Sequence, residues 1–279
     1  MIKNILVALD ASPGSLSAQK LAVQLAKAHK AALTGIGIMD EPWIDAPEAI
    51  PLGGAAFKVE RDQELLADVR KQVHKLEESF IDFCKHQEVP YSIIDVMGIP
   101  ADEIEHCLVE YDLLVIGKDA SFHFDHPMPP TPSVRQLIKD NPRPLIVTGA
   151  HLLNQDNSNV LVAFDGTFAA SRSLHMALLT GFLNKKTVHI VSVGPNEALL
   201  KEQLKAAAKL CKEHNVHPHL HLQVSDDEPS KVLLEEIKKI QPSLLVLGAY
   251  SHGALNHFFW GSCAEALLQS TDTPTFFFH

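Results

Sequence analysis

The chain spells one pattern twice. Residues 3–10 read Lys-Asn-Ile-Leu-Val-Ala-Leu-Asp, and residues 158–165 read Ser-Asn-Val-Leu-Val-Ala-Phe-Asp. Each is an unbroken apolar run closed by an aspartate, which fits a strand buried on both faces of a parallel sheet. Each is followed by a small polar turn, Ala11-Ser12-Pro13-Gly14 or Gly166-Thr167, and then by a helical pattern, expected over 15–28 and 169–182. A repeat that starts again halfway along a 279-residue chain calls for two copies of one folding unit.

The rest of each copy follows the same order. In the second, strands are expected over 187–193, 217–224, 243–247 and 275–278, with helices over 197–214, 230–240 and 262–268. In the first, strands are expected over 4–9, 32–38, 91–96, 112–116 and 144–148, with helices near 15–28, 60–86, 101–109 and 133–139. Residues 40–58, rich in Pro, Gly and Ala, read as an inserted loop. Strands alternating with helices imply βαβ crossovers. The expected fold class is therefore α/β: two tandem five-stranded parallel sheets, doubly wound. The expected domains are 1–150 and 158–279, joined by the polar stretch Gly149–Ser158. In such sheets ligands bind beyond the carboxyl ends of the strands at the switch point. Asp10, Asp165, Gly117 and Gly248 fall at those ends.

Composition narrows the partners. The formal net charge is −10 and no Lys/Arg-rich run occurs, so nucleic acid is not an expected partner. No apolar stretch is long enough to span a bilayer, and the apolar start broken by Asp10 does not read as a signal peptide. The four cysteines, Cys84, Cys107, Cys211 and Cys263, form no C-x-x-C pair. They suit free, mostly buried thiols in a reducing cytosol, and a cytoplasmic location is the expectation.

The chemistry concentrates after the fourth strand of the second copy. There the chain reads Gly248-Ala249-Tyr250-Ser251-His252-Gly253, and after Ala254 to Trp260 comes Gly261-Ser262. A glycine at a strand end lets backbone approach a ligand. Gly261 and Ser262 open a helix, where amide N–H groups and the dipole favour an anion. Ser262 is expected as N-cap or as a hydroxyl donor to phosphate.

This spacing resembles the signature of the universal stress proteins: a glycine, two residues, a second glycine, nine residues, then Gly-Ser/Thr. Gly248, the nine residues from His252 to Trp260, and Gly261-Ser262 match; Ser251 replaces the second glycine and keeps its backbone N–H. Counted as two modules, the resemblance covers nearly the whole chain. It includes the aspartate ending strand one and the pattern Gly98-x-Pro100-Ala101-x-Glu103-Ile104. It implies an adenine nucleotide, ATP or a relative with Mg²⁺, in the second half. Gly248, Ser251, Gly261 and Ser262 would then hold phosphates, with His252 inside the same motif. Asp165, Ala163 and Val193 would flank the adenosine. The resemblance also implies that modules pair through their last strands, here Pro144–Thr148 and Pro274–Phe278. The two halves would thus form a pseudo-two-fold pair within one chain, with further homodimerisation open.

The first half departs from the motif. Gly117-Lys118-Asp119-Ala120 leads into Ser121-Phe-His-Phe-Asp-His-Pro-Met-Pro-Pro-Thr-Pro, without a Gly-Ser at the far end. Prolines remove amide donors and Asp119 adds negative charge, so this half is expected to bind no ATP.

Other readings stay open. With both sites vestigial, the chain would be an interaction scaffold for protein partners. With Trp43, Ile44, Ile50, Leu52 and Phe57 lining a lid, the first half would bind a small apolar ligand. His217, His219 and His221 alternate along one strand face, but no further ligand completes a metal set. Cys263, in a first helical turn, reads as a small buried filler. No Walker loop, nucleophile elbow or zinc-protease helix occurs, so enzymatic activity beyond a slow ATPase is not expected.

Overall fold

A computed structural model of the chain describes residues 2–46, 55–124, 130–153, 157–249 and 260–279. The first half runs β1 (Asn4–Leu9), α1 (Pro13–His29), β2 (Ala32–Asp40), α2 (Glu41–Ile44), α3 (Ala55–His86), β3 (Tyr91–Gly98), α4 (Pro100–Cys107), β4 (Leu113–Gly117), α5 (Pro132–Asp140) and β5 (Leu145–Thr148). The second runs β6 (Asn159–Ala163), α6 (Phe168–Thr180), β7 (Thr187–Gly194), α7 (Glu197–Glu213), β8 (His219–Val224), α8 (Pro229–Ile240), β9 (Leu244–Gly248), α9 (Trp260–Ser270) and β10 (Thr275–Phe278).

The strands form one ten-stranded sheet in the order β3-β2-β1-β4-β5-β10-β9-β6-β7-β8. Every neighbour pair is parallel except the central one. There β5 and β10 run antiparallel, with Val147, Ile146 and Leu145 opposite Thr275, Phe276 and Phe277. The two five-stranded sheets are thus a single sheet with a pseudo-two-fold at its middle, and each half's last strand covers the edge of the other.

The repeated apolar runs alternate between two cores. Ile5, Val7 and Leu9, like Val160, Val162 and Phe164, join the core beneath α1, α3, α6 and α7. Leu6 and Ala8, like Leu161 and Ala163, join the core beneath α4, α5, α8 and α9. Both faces are buried, which explains why these strands carry no polar alternation. Both cores cross the seam between the halves.

The insertion after β2 is partly helical rather than a loop. Asp40 caps α2, its Oδ1 accepting the Trp43 N–H at 3.1 Å, and residues 55–58 already belong to α3. Helix α3 runs 32 residues to His86. Trp43 and Ile44 do not line a lid: Ile44 is buried in a small core with Met39, Val69 and Val73, against which Trp43 packs. Phe57 is 78% exposed, and Ile50 and Leu52 lie outside the described residues.

The histidine strand is also shorter than expected. β8 starts at His219 and His217 is exposed before it, so the third imidazole comes from β7. His189 Nδ1 lies 2.9 Å from His221 Nε2 and stacks on His219 at 5.2 Å between ring centroids. Among the described residues no group of three or more His, Cys, Asp or Glu side chains is placed to hold a metal ion. Nor is any described helix long and apolar enough to cross a membrane.

Candidate functional site

The switch point of each half lies between the first strand and the fourth, β1 and β4 in one half, β6 and β9 in the other. The loop leaving the first strand is built alike in both. Ser12 caps α1 by accepting the Ser15 N–H, and Thr167 caps α6 by accepting the Ala170 N–H. Each cap residue also leans on the preceding aspartate. The Ser12 N–H and hydroxyl donate to Asp10 at 3.2 and 3.0 Å, and those of Thr167 donate to Asp165 at 3.0 and 2.7 Å. This is the turn chemistry of a short polar side chain folding back onto its own loop.

The glycine that ends the fourth strand has a packing reason in both halves. A Cβ on Gly248 would lie 2.7 Å from Ala170 N, and one on Gly117 would lie 2.6 Å from the Gly14 carbonyl carbon. The strand end touches the backbone of the helix that follows the first strand. Gly248 therefore does not by itself mark a phosphate contact, since Gly117 has the same role in the half that lacks the motif.

The halves diverge beyond that glycine. In the first, Asp10 Oδ2 also accepts the Ser121 N–H at 2.9 Å, so both of its oxygens are satisfied. Asp119 folds over the start of α1 and accepts the Gly14 N–H at 3.1 Å. A carboxylate thus sits at the positive end of the helix, and a Cβ on Gly14 would collide with it. Burial raises the Asp10 carboxyl to about 6 against the pull of the Ser121 and Ser12 hydrogen bonds, with the Asp119 charge adding to the rise. Asp40 pairs with His123 at 2.6 Å, and the His123 ring stacks on Trp43.

In the second half, Asp165 Oδ1 takes both Thr167 bonds, while Oδ2 is buried with no hydrogen-bond partner among the described residues. Burial raises this carboxyl as well. Gln203 of α7 donates to the Asp165 carbonyl at 2.6 Å, which fixes its amide orientation and leaves its own Oε1 buried without a partner among the described residues. Two acceptors without donors among the described residues thus come from the loop after β6 and from α7. Buried orphans of this kind call for a water, an ion or a ligand donor. Gln203 was not legible as a site residue, because it sits among the polar positions of an amphipathic helix.

Of the residues expected from the sequence, Asp165 lies on this loop. Cys263, in the first turn of α9, is close enough for the Asp165 charge to add to burial in pushing its thiol up to about 12. The first turn of α9 therefore borders the same switch point. Helix α9 begins at Trp260, so Ser262 is its third residue and not its N-cap; the Ser262 N–H is one of the first-turn amides instead. The Ala163 side chain is buried in the core below, which leaves only its backbone for a ligand, and Val193 is partly buried against the same core. Ser251 and His252 lie outside the described residues.

Comparison with known proteins agrees with the duplicated architecture. The model of the universal stress protein family matches residues 1–122 and 157–279. A universal stress protein of Synechocystis sp. is 24% identical over 294 residues, spanning 99% of this chain and all of that protein. Among solved structures, a universal stress protein from Archaeoglobus fulgidus superposes with a TM-score of 0.67 at 17% identity, covering 98% of this chain and 94% of the other. A protein from Pseudomonas aeruginosa superposes at 0.56 and 18% identity, covering 99% and 92%. At these identities the structural matches speak for the fold alone.

Proposed function

This chain belongs to the universal stress protein family, and from that premise we propose that it is a stress-response or signalling protein binding ATP or a related adenine nucleotide in its second half. The observation that carries this reading is the asymmetry, among the described residues, between two otherwise matching loops. Asp10 has both oxygens engaged and Asp119 covers the helix start beside it, whereas Asp165 keeps a buried oxygen with no donor among the described residues.

The chemistry divides the site. A carboxylate repels phosphate, so Asp165 and Gln203 suit the donor groups of the nucleoside, an amine or hydroxyl, or the water of a bound cation. The first-turn amides of α9, at Gly261 and Ser262, suit the phosphates. Mg²⁺ commonly takes one or two carboxylates and completes its shell with water and phosphate oxygens. Asp165 fits that part, and the ion would supply charge neutralisation for the phosphates. The role is binding. Hydrolysis would need a base aimed at water, and the described residues around Asp165 provide no second carboxylate for it.

The test is direct. The full chain is purified without added nucleotide, denatured, and the released small molecules are read by absorbance and mass. Adenine nucleotide near one per chain supports the reading. Gly261→Asp, which sets a negative charge in the first turn of α9, is expected to abolish binding. A clean protein whose melting temperature does not move on adding ATP and Mg²⁺ would instead favour an interaction scaffold.

A further inference from the structure

Lys118 is a lysine of the first half that serves the second. The residue is buried, 8% exposed. Its Nζ donates to the carbonyls of Leu268 and Thr271, each at 3.0 Å, and pairs with Asp272 Oδ1 at 3.0 Å. These three oxygens stand at and just beyond the last turn of α9. The carboxyl end of a helix carries unsatisfied carbonyls and partial negative charge, so a buried ammonium there is held by both hydrogen bonds and the dipole.

The lysine is itself anchored to its own half. The Lys118 N–H donates to Thr148 O at 2.8 Å, and its carbonyl accepts the Thr131 N–H at 3.1 Å. The next residue, Asp119, grips the start of α1 through Gly14. Two consecutive residues of opposite charge thus hold opposite ends of two helices, one from each half. The device runs one way only. The matching position in the second half is Ala249, which is apolar and buried and has no side-chain donor.

We infer that Lys118 is a positioning residue for the second-half ligand site: it fixes the carboxyl end of α9 to the frame of the first half, and so sets where the first-turn amides of that helix stand. Helix α9 is 11 residues long, about three turns of one continuous hydrogen-bond ladder, so the position of its carboxyl end bears on that of its first turn. The inference rests on the nucleotide reading for its ligand, while the link between the two helix ends stands apart from it. It also gives the first half a task, as the bracket of the other half's site.

The experiment uses the full chain as wild type, Lys118→Met and Lys118→Arg. ATP–Mg²⁺ affinity is measured well below each variant's melting temperature, together with amide hydrogen exchange with and without nucleotide. Lys118→Met keeps the stem and removes the charge, and it is expected to weaken binding on the order of tenfold, the scale of a lost charge-assisted hydrogen bond. Lys118→Arg is expected to restore most of the affinity, because the guanidinium can still donate to the same carbonyls. Unchanged affinity in a folded Lys118→Met would overturn the inference. If the wild type itself binds no nucleotide, the nucleotide reading fails and the exchange of the ligand-free proteins decides. Faster exchange of Gly261 to Cys263 in Lys118→Met supports a positioning role. Faster exchange confined to Leu268 to Asp272 overturns it.

Discussion

Asp10 and Asp165 stand at the same place in the two halves, and among the described residues their carboxylates differ by one hydrogen bond. Asp10 Oδ2 accepts the Ser121 N–H at 2.9 Å, and Asp165 Oδ2, although buried, accepts from no described residue. A buried acceptor left unpaired costs about 1–3 kcal/mol, a cost that a ligand's donor would remove. Under the proposed function, the same aspartate closes one half and offers a ligand an acceptor in the other.

Substituting these two residues should give opposite results. Asp165→Asn keeps the shape but removes the charge, and adenine-nucleotide affinity is expected to fall about tenfold or more, the scale of a lost charged acceptor. Asp10→Asn is expected to leave that affinity unchanged. Titration calorimetry on both variants checks this, and equal losses would show that the halves do not differ in the way proposed.

Asp10 also makes a pH-dependent contribution to stability. Its folded carboxyl titrates near 6 instead of the ordinary 3.8, so the fold favours the neutral form. Between those values the native chain holds a proton that the unfolded chain has released. The Asp10 contribution is therefore largest below about 3.8, declines as pH rises to about 6, and is flat above. A rise of that size in one carboxyl is worth on the order of 2–3 kcal/mol across the window. Urea unfolding of wild type and Asp10→Asn across pH 4 to 7 checks this. Measured against the variant, the wild type should lose stability as pH climbs toward 6 and run parallel to it beyond; a constant difference throughout would contradict the raised carboxyl.

The strand-end glycines should behave alike. Gly117→Ala and Gly248→Ala each drive a methyl into helix backbone at 2.6 and 2.7 Å, contacts that no rotamer change can relieve. Each is expected to destabilise the chain by about 1–3 kcal/mol, the usual cost of overpacking. Denaturant midpoints would measure it. A much larger loss of nucleotide binding than of stability in Gly248→Ala alone would reassign that glycine to the ligand.

The buried thiols should be inert. Burial raises Cys84 and Cys211 to about 11, and burial with the Asp165 charge raises Cys263 to about 12. The thiolate is the nucleophile, so a thiol reagent at neutral pH is expected to leave all three unmodified in the native protein and to label them after unfolding. Mass spectrometry of the modified peptides reads the outcome, and native labelling of Cys263 would mean that the first turn of α9 opens.

The local layers were legible because they repeat at short range. The apolar runs ending at Asp10 and Asp165 read as strands covered on both faces; Ser12 and Thr167 read as turn residues, and the structure shows them to be the N-caps of α1 and α6. Pairing of β5 with β10 was what the family resemblance implied, and both strands are apolar edges that need cover. The departures came where sequence periodicity is weak: residues 41–44 and 55–58 are helical instead of loop, and β8 takes its histidine neighbour from β7 instead of His217.

By itself, then, the sequence determined the duplication, the α/β layering and the placing of an aspartate and a glycine at each switch point, since these depend on side-chain type at fixed spacing along the backbone. Tertiary structure alone decided what those residues do. Asp119 meets Gly14 across 105 positions, Lys118 meets Leu268 across 150, and Gln203 reaches Asp165 from another helix. A hydrogen bond is satisfied or orphaned by distances of a few tenths of an ångström, and those are set by how loops cross after folding, which no local pattern encodes.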